Sequence, residues 1–295
     1  MTKNIKAIIL ALIASFCAVL MSVFLKLAQE DSNVFMVGFL RFFFGFILIL
    51  PFIIKTKLKI YNTYNFKLHL IRSIINVPMM ILGFSALMYI PLEKIKAIGF
   101  LSPILVVILS VIFLKERIYL IRTFSLILGF LGTMIILRPG FIEFNIGVYM
   151  VLTSGLLWST VIIITKLMSK TDSAMTILVY QYSFVSLFTF PIAIYYWSNP
   201  SYSLIAYSIL GAIVGTILHL CINNSYKLAP LSIIQPIWFT QILFASFFGV
   251  TLFNQMPDFF TYFGAIIVFI SVLIITYREN YLKKDIAKTS LPLKN

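Results

Sequence analysis

The stretch VFMVGFLRFFFGFILILPFII, residues 34–54, is apolar throughout except for a single charge at Arg41. A helix needs about 20 mainly apolar residues to cross the hydrocarbon core of a bilayer, and this run is long enough. It shows no alternation of polar and apolar residues, so a helix rather than a barrel strand must satisfy its backbone hydrogen bonds in lipid. The stretch predicts a transmembrane helix, and it sets the pattern for the rest of the chain.

Apolar runs of this kind recur along the whole chain of 295 residues, of which 61% are hydrophobic and only 11% are charged. The mean hydropathy of +1.04 is far above that of a soluble domain. We therefore predict an all-α integral membrane protein with ten transmembrane helices and no soluble domain. The predicted spans are residues 6–27, 34–54, 69–89, 92–114, 119–138, 146–167, 174–197, 203–222, 231–253 and 258–277.

The positive charge is distributed as membrane topology requires. The net charge of +14 does not form a compact basic face, so we predict no nucleic-acid partner. Most Lys and Arg residues, Arg72 included, are assigned to alternate connections and their flanks, which become cytoplasmic if the N-terminus is cytoplasmic. This positive-inside bias predicts a multi-pass protein of the cell inner membrane with both termini in the cytoplasm.

An internal repeat relates the two halves of the chain. An offset of 140 residues matches Lys26 with Lys166 and Pro51 with Pro191. Because each unit would contain five helices, an odd number, the second unit crosses the membrane with opposite polarity. Inverted repeats of this kind are typical of secondary transporters. The predicted units are residues 1–140 (helices 1–5) and 141–278 (helices 6–10), followed by a basic cytoplasmic tail, residues 279–295.

Several motifs resemble those of a known family in order and spacing. They are FLRFFFGFILILPF (39–52), IPLEKIKAIGFLSPILVVILSVIFLKERI (90–118), GFLGTMIILRPG (129–140), LAPLSIIQPIWFTQILFASFFGVTLFNQMPD (228–258) and YRE (277–279). Together they resemble the EamA branch of the drug/metabolite transporter superfamily, nearest to the subgroup with rickettsial S-adenosylmethionine uptake transporters. The resemblance implies ten helices, a central cavity lined mainly by helices 1, 3, 4, 6, 8 and 9, and no ATP-binding module.

Helices 4 and 9 carry matching polar stripes. Lys96, where the subgroup usually has small or acidic residues, shares a helix face with Ser102. The repeat relates this face to Gln235, Trp238 and Gln241. We predict that these five residues face a substrate cavity. For Lys96 an alternative stays open, in which its side chain snorkels to the interface or pairs with a glutamate at the helix end.

Helix 8 carries a third polar stripe. His219, Asn223 and Tyr226 recur at i, i+4 and i+7, and Asn76 lies at a comparable depth in helix 3. Such a stripe must face protein, because lipid would leave it unsatisfied. We predict that His219, Asn223 and Asn76 bind substrate. His219 is also a candidate carrier of a coupling proton, with a hydrogen-bonded packing role as the alternative.

Arg41 lies well inside helix 2 and requires a polar partner. Glu30 and Asp31, at the outer end of helix 1, are candidate partners, and a direct contact with substrate is the alternative. Trp158 and Trp238 are candidate stacking walls for a heterocyclic solute, or bulky packing residues. We include Arg41, Trp158 and Trp238 in the predicted substrate site.

The sequence does not support catalytic chemistry. It contains no Gly-rich phosphate loop, no HExxH motif and no paired intramembrane carboxylates. We predict no enzyme, no cofactor and no metal site. The predicted function is secondary-active transport of a small polar metabolite by alternating access, with S-adenosylmethionine or an organic anion or amino acid as candidates. Its partners are that metabolite, the lipid bilayer and, for coupling, a proton or counter-substrate. The alternatives are a membrane-embedded lipid-modifying enzyme and a non-transporting structural protein.

Overall fold

A computed structural model of the chain describes residues 2–86, 89, 98–99, 101–116, 119–137, 145–253 and 259–289. These residues form eleven α-helices, with one short 3₁₀ turn at Lys59–Tyr61, and no strand. The helices are α1 (Lys3–Gln29), α2 (Val34–Lys55), α3 (Phe66–Ser85), α4 (Ser102–Leu114), α5 (Leu120–Leu137), α6 (Ile146–Met168), α7 (Ala174–Tyr195), α8 (Tyr202–Leu228), α9 (Leu231–Trp238), α10 (Gln241–Phe253) and α11 (Phe259–Thr289).

The prediction of an all-helical membrane protein is confirmed. In the described part of the chain, eight helical segments are long and apolar enough to cross a bilayer, the last two being Leu231–Phe248 and Phe259–Arg278. The shorter apolar helices α4 and α5 occupy the places of the fourth and fifth predicted spans. The start of the fourth span, including Lys96, lies outside the described residues.

The predicted ninth span, 231–253, contains an apolar segment long enough to cross a bilayer, but it is divided into two helices, α9 and α10. Pro236 has no backbone N–H to donate to the preceding turn. Just beyond it, the amide of Thr240 donates to the carbonyl of Ile237 at 3.0 Å, a tighter i→i−3 bond. The Thr240 hydroxyl donates to the same carbonyl at 2.6 Å. These bonds end α9 at Trp238, and α10 begins at Gln241.

Two helices extend beyond their predicted ends. The predicted eighth span stops at residue 222, whereas α8 continues to Leu228 and so carries the whole polar stripe of that helix. The last helix, α11, continues to Thr289, so most of the predicted tail is a helical extension of the tenth span. At the C-terminal ends of α8 and α11, polar and basic residues interrupt the apolar run, but the helix continues through them.

Five helices begin with a side-chain cap of the ordinary kind. A side-chain oxygen of the preceding residue accepts the backbone N–H three positions later. The capping residues are Thr2 for α1, Asn33 for α2, Asn145 for α6, Ser173 for α7 and Ser201 for α8.

The two halves pack against each other in a reciprocal pattern. Helices five spans apart are equivalent if the halves are alike, so α1 corresponds to α6, α2 to α7 and α3 to α8. The contact of α1 with α8 has its counterpart in α6 with α3, and that of α2 with α8 in α7 with α3. The helices α2 and α7 pack directly on each other, as do α5 and α11. Each of these contacts between helices of the first and second halves therefore has a counterpart among the matching helices.

The interface between α1 and α8 is built on small residues. Ala7, Ala11, Ala14 and Ala18 follow one face of α1 and are buried. Small side chains let two helix backbones approach closely, which is how helices associate in lipid. The Ser225 hydroxyl of α8 donates to the Ala7 carbonyl at 2.8 Å. The close packing of α1 on α8 therefore holds in place the helix that carries the polar stripe of His219, Asn223 and Tyr226.

The pairing of α5 with α11 makes a testable prediction about Gly132. A Cβ at this position would lie 3.0 Å from the Gly264 carbonyl oxygen and 3.0 Å from methyl groups of Ile267 and Val268. We expect Gly132→Val to destabilise the folded protein by about 1–3 kcal/mol, because the backbone carbonyl cannot move aside cheaply. Thermal unfolding of the purified protein in detergent measures this.

The matched control for that substitution is Gly99→Val. A Cβ at Gly99 would meet no atom of the described residues within 4 Å, so the added side chain displaces none of them. An equal loss of melting temperature in the two variants would contradict the close packing at Gly132.

Candidate functional site

A small cavity of about 20 Å³ lies between α3, α6, α8 and α9. This volume accommodates about one water molecule, so the cavity is too small for a metabolite in this structure. None of the described residues of α1 or α4 lines it, although the family resemblance implied both helices. Apart from aliphatic side chains, the lining consists of Arg72, Trp158, Thr165, His219, Asn223, Tyr226 and Trp238.

Arg72 is the charged side chain of this lining, and it was missed as a site residue. Sequence analysis assigned it to the cytoplasmic flank of helix 3, but only 4% of its surface is exposed. Its Nε–H donates to the Thr165 hydroxyl at 2.7 Å, and its Nη2 donates to the Gln181 side-chain oxygen at 2.9 Å. Arg72 therefore ties α3 to α6 and α7 beside the cavity.

Arg41 reaches the same region from α2. Its Nη2 lies 3.1 Å from Nε2 of His219 on α8. It passes Gly215, where a Cβ would lie 3.3 Å from the guanidinium, so a small residue leaves room for it. The predicted pairing of Arg41 with Glu30 or Asp31 is not formed, and Arg41 is bonded to histidine instead.

The contact with Arg41 fixes the chemical state of His219. A guanidinium donates hydrogen bonds and accepts none, so Nε2 of His219 is the acceptor. The imidazole is then neutral, with its proton on Nδ1. In this conformation His219 is a hydrogen-bond acceptor beside a cation, and it has no free Nε2 lone pair for a coupling proton.

No described carboxylate neutralises the two arginines. The carboxylate side chains that the structure describes are those of Glu30, Asp31, Glu116 and Asp172. The Asp172 carboxylate is hydrogen-bonded to Nε2 of His69, and Glu116 accepts from the Leu231 amide. The guanidinium groups of Arg41 and Arg72 therefore lie near the centre of the bundle with neutral partners.

Hydrogen-bond donors without a partner surround the cavity. Among the described residues, the side-chain nitrogens of Asn223 and Gln235, the indole nitrogen of Trp238 and Nε of Arg41 are buried and unbonded. Gln235 and Trp238 approach the Tyr226 hydroxyl without the geometry of a hydrogen bond. Buried donors without acceptors are costly. The cavity thus has a surplus of donors and positive charge.

The structure brings together most of the predicted site residues. Four of them line the cavity, namely Trp158, His219, Asn223 and Trp238. Arg41 is hydrogen-bonded to His219, and Gln235 lies beside Tyr226. Arg41 and Gln235 adjoin lining residues without lining the cavity themselves. Three other predicted residues do not line it either, and a fourth lies outside the described part of the chain. These are Asn76 and Ser102, which are buried elsewhere, Gln241, which lies beyond the break in the ninth span, and Lys96.

A cluster of polar side chains around Asp172, which sequence analysis missed, joins the two halves at one end of the bundle. Asp172 follows α6 and is only 6% exposed. Its carboxylate accepts hydrogen bonds from the Thr63 hydroxyl (2.8 Å), the Asn65 amide (3.2 Å) and Nε2 of His69 (2.8 Å). The His69 ring also stacks on Tyr180, with 4.2 Å between centroids. We call these residues the Asp172 cluster.

A corresponding cluster joins the halves at the other end of α2 and α7. The Ser201 hydroxyl donates to the exposed Asp31 carboxylate at 3.0 Å, and the Ser203 hydroxyl donates to the same oxygen. The hydrogen bond from Ser203, followed by that from Ser201, lowers the pKa of the Asp31 carboxylate below its usual value. The hydroxyl oxygens of Ser32 and Ser198 lie 3.2 Å apart. We call these residues the Asp31 cluster.

A lateral groove of about 360 Å³ between α2 and α7 bears on the enzyme alternative. It is lined largely by Phe side chains, with Tyr61, Ser183 and Ser186 as its polar groups. Tyr61 and Ser183 hydrogen-bond to each other at 2.7 Å. The groove lining described here holds no histidine, cysteine or carboxylate to act as a base or nucleophile.

Comparison with known proteins gives this architecture a family. A model of the EamA-like transporter family matches residues 5–138 and again residues 145–277. The chain belongs to the EamA-like transporter family. It is therefore a multi-pass membrane protein of a transporter family, and its named relatives are transporters rather than enzymes.

Individual relatives cover most of the chain. It is 25% identical to the S-adenosylmethionine uptake transporter of Rickettsia prowazekii (strain Madrid E) over 83% of each chain, and 28% identical to that of Rickettsia bellii (strain RML369-C) over 86% of each. It is 28% identical to the riboflavin transporter of Vibrio cholerae serotype O1 over 82% of this chain and 83% of the relative. A protein of known crystal structure shares the fold, with a TM-score of 0.75 and 15% identity over 92% of this chain and 98% of that one.

Proposed function

We propose that this protein is a secondary transporter that carries a small polar metabolite through the cavity between its halves by alternating access. The observation that carries the proposal is the buried, donor-rich cavity enclosed by helices of both halves. Soluble metabolites need such polar groups at the middle of a membrane, and a protein keeps them there at a cost only where they are used. A proton or a counter-substrate would couple the movement.

Two features support an inverted relation between the halves, residues 1–140 and 141–278. The contacts between helices are reciprocal, as a two-fold relation between the halves would require. The equivalent helices α2 and α7 are antiparallel, because Asn33 at the start of α2 donates to the Tyr196 carbonyl at the end of α7, at 2.7 Å. Antiparallel equivalents are what opposite insertion of two five-helix repeats requires. With the basic connections inside, both termini are cytoplasmic and the membrane is the cell inner membrane.

The Asp31 and Asp172 clusters support the proposed mechanism of alternating access. Each joins the junction before the second helix of one half to the junction after the second helix of the other half. The two clusters lie at opposite ends of α2 and α7, and both are formed in this closed conformation. We propose that each cluster is broken when the cavity opens at its own end, so that the transporter opens to one side at a time.

The relatives and the cavity together indicate S-adenosylmethionine as the first candidate substrate. Relatives of similar identity are named for S-adenosylmethionine and for riboflavin, and both molecules carry a nitrogen heterocycle. Trp158 and Trp238 line the cavity and would stack on such a ring. An organic anion or an amino acid is the next candidate, because the arginines suit a carboxylate. In a cavity of about 20 Å³ none of these fits, so binding requires the helices to part.

Solute uptake by the purified protein tests the proposed function. We expect saturable uptake of labelled S-adenosylmethionine into proteoliposomes, competed by the unlabelled compound and absent from protein-free liposomes. Imposed pH gradients and internally loaded solute distinguish proton coupling from exchange. A panel of amino acids, organic acids, nucleotides and riboflavin covers the other candidates. If no member of the panel shows saturable flux, the protein is not the carrier that we propose.

A further inference from the structure

We infer that Arg72, together with Arg41, binds a carboxylate group of the transported solute, and that Arg72 sets the preference for carboxylated over uncharged solutes. The inference rests on the proposed function, since it concerns the solute carried through the same cavity. It assigns a specific role to a residue whose position in the chain had suggested a cytoplasmic flanking charge.

The position of Arg72 fits a binding role. Its side chain lines the cavity and is almost entirely buried. Its bonds to Thr165 and Gln181 use two of its five N–H donors. Those two bonds hold the guanidinium in place from two different helices, so further donors are presented in a fixed orientation. A guanidinium held in this way is suited to bidentate binding of a planar carboxylate.

The charge of Arg72 points to an anionic ligand. A buried cation is usually neutralised by a carboxylate, because the loss of hydration is costly. Here the described carboxylates form no ion pair with Arg72 or Arg41. Thr165, Gln181 and His219, which accept from the two arginines, are neutral groups. The described residues supply no negative charge to these arginines, and the carboxylate of a solute would supply it.

The neighbouring donors point in the same direction. The Asn223 amide nitrogen and the Trp238 indole nitrogen belong to cavity-lining residues and are buried. The Asn223 nitrogen has no acceptor among the described residues, and the Trp238 nitrogen has only the Tyr226 hydroxyl nearby, without the geometry of a hydrogen bond. A solute rich in hydrogen-bond acceptors would satisfy them, whereas a cationic group would add to the positive charge. The cavity therefore combines the Arg72 guanidinium with unfilled donors, and Arg41 lies behind the lining residue His219. Guanidinium groups and such donors are the chemistry that recognises carboxylate oxygens.

A matched pair of ligands tests this inference directly. The probes are S-adenosylmethionine and decarboxylated S-adenosylmethionine, which differ at the carboxylate. We expect the full-length wild-type protein in detergent to bind the carboxylated probe about 10- to 100-fold more tightly, because a hydrogen-bonded charge contact is worth that factor. Arg72→Gln should reduce this ratio to about one, and Arg72→Lys should keep part of it. Dissociation constants from calorimetry or from thermal stabilisation supply the ratio.

The control variant is Lys67→Gln, which removes one positive charge from the exposed start of the same helix. It should keep the wild-type ratio, because it lies outside the cavity lining. Arg72→Lys serves as the second variant if Arg72→Gln does not fold. Should uptake assays identify a different carboxylated solute, that solute and its amide replace the two probes.

The outcomes separate this inference from the proposed function. A wild-type ratio that persists in Arg72→Gln, or a wild-type protein that carries only solutes without a carboxylate, overturns the role of Arg72 while leaving the carrier function intact. A complete absence of saturable flux overturns the carrier function itself. A ratio that falls in Arg72→Gln and is kept in Lys67→Gln supports the inference.

Discussion

Oxidation of a Ser32→Cys/Ser198→Cys double variant is expected to abolish solute uptake, and reduction is expected to restore it. The two hydroxyl oxygens lie 3.2 Å apart on connections that belong to different halves. Cysteine sulfurs at these positions need to approach only about 1 Å closer to form a disulfide. The bond would hold the Asp31 cluster closed. Under alternating access, a transporter that cannot open at one end completes no cycle, so uptake falls to the level of protein-free liposomes.

The controls for this experiment use the chain's own thiols. Cys17 and Cys221 are present in the natural sequence and are both free. Wild-type protein and the two single-cysteine variants, treated with the same oxidant, should keep their uptake. Peptide mass spectrometry confirms that the new bond joins residues 32 and 198. Undiminished uptake by fully cross-linked protein would show that this end of the bundle does not open during transport.

Asp172→Ala is expected to cost far more stability than Asp31→Ala. Asp172 is buried and accepts hydrogen bonds from Thr63, Asn65 and His69. Removal of its carboxylate leaves the buried His69 donor and the part-buried Thr63 and Asn65 donors without their acceptor, for which we expect a loss of about 2–4 kcal/mol. Asp31 is exposed, and water can replace its partners. Thermal unfolding in detergent should therefore show a large drop in melting temperature for Asp172→Ala and little change for Asp31→Ala.

A conservative variant separates charge from hydrogen bonding at this position. Asp172→Asn keeps an acceptor oxygen but loses the charge, so its melting temperature should lie between those of wild type and Asp172→Ala. Hydrogen exchange should increase around Thr63 and His69 in the alanine variant, because the contact between the halves is lost there. Equal melting temperatures for the Asp31 and Asp172 alanine variants would contradict the difference in burial on which this prediction rests.

Sequence analysis predicted the helices well because each span must supply enough apolar residues to cross the bilayer. It predicted their ends less well, since a helix continues through polar residues, as at the end of α8, without leaving a hydrophobic signal. The break at Trp238 and Gln241 depends on how Pro236 and Thr240 reorganise local hydrogen bonds. Pro236 gave a hint of it, but proline is also tolerated within transmembrane helices.

Helix periodicity alone predicted the part of the candidate site that lies on a single helix face. His219, Asn223 and Tyr226 share a helix face, and all three line the cavity. Arg72 was missed because a charge near the start of a span looks the same in sequence whether it faces the connection or the interior. The bond between Arg41 and His219 joins residues 178 positions apart. Such pairings depend on how the helices pack against each other, and the spacing of residues along one helix does not predict that packing.

The corner between α8 and α9 has a consequence for how the transporter moves. The Lys166 ammonium of α6 donates to the carbonyls of Tyr226 and Ala229, where α8 ends. The Glu116 carboxylate accepts from the amide of Leu231, the first residue of α9. Pulling these elements apart in lipid would strand polar backbone groups where no water can reach them. We expect this corner to move as one rigid block.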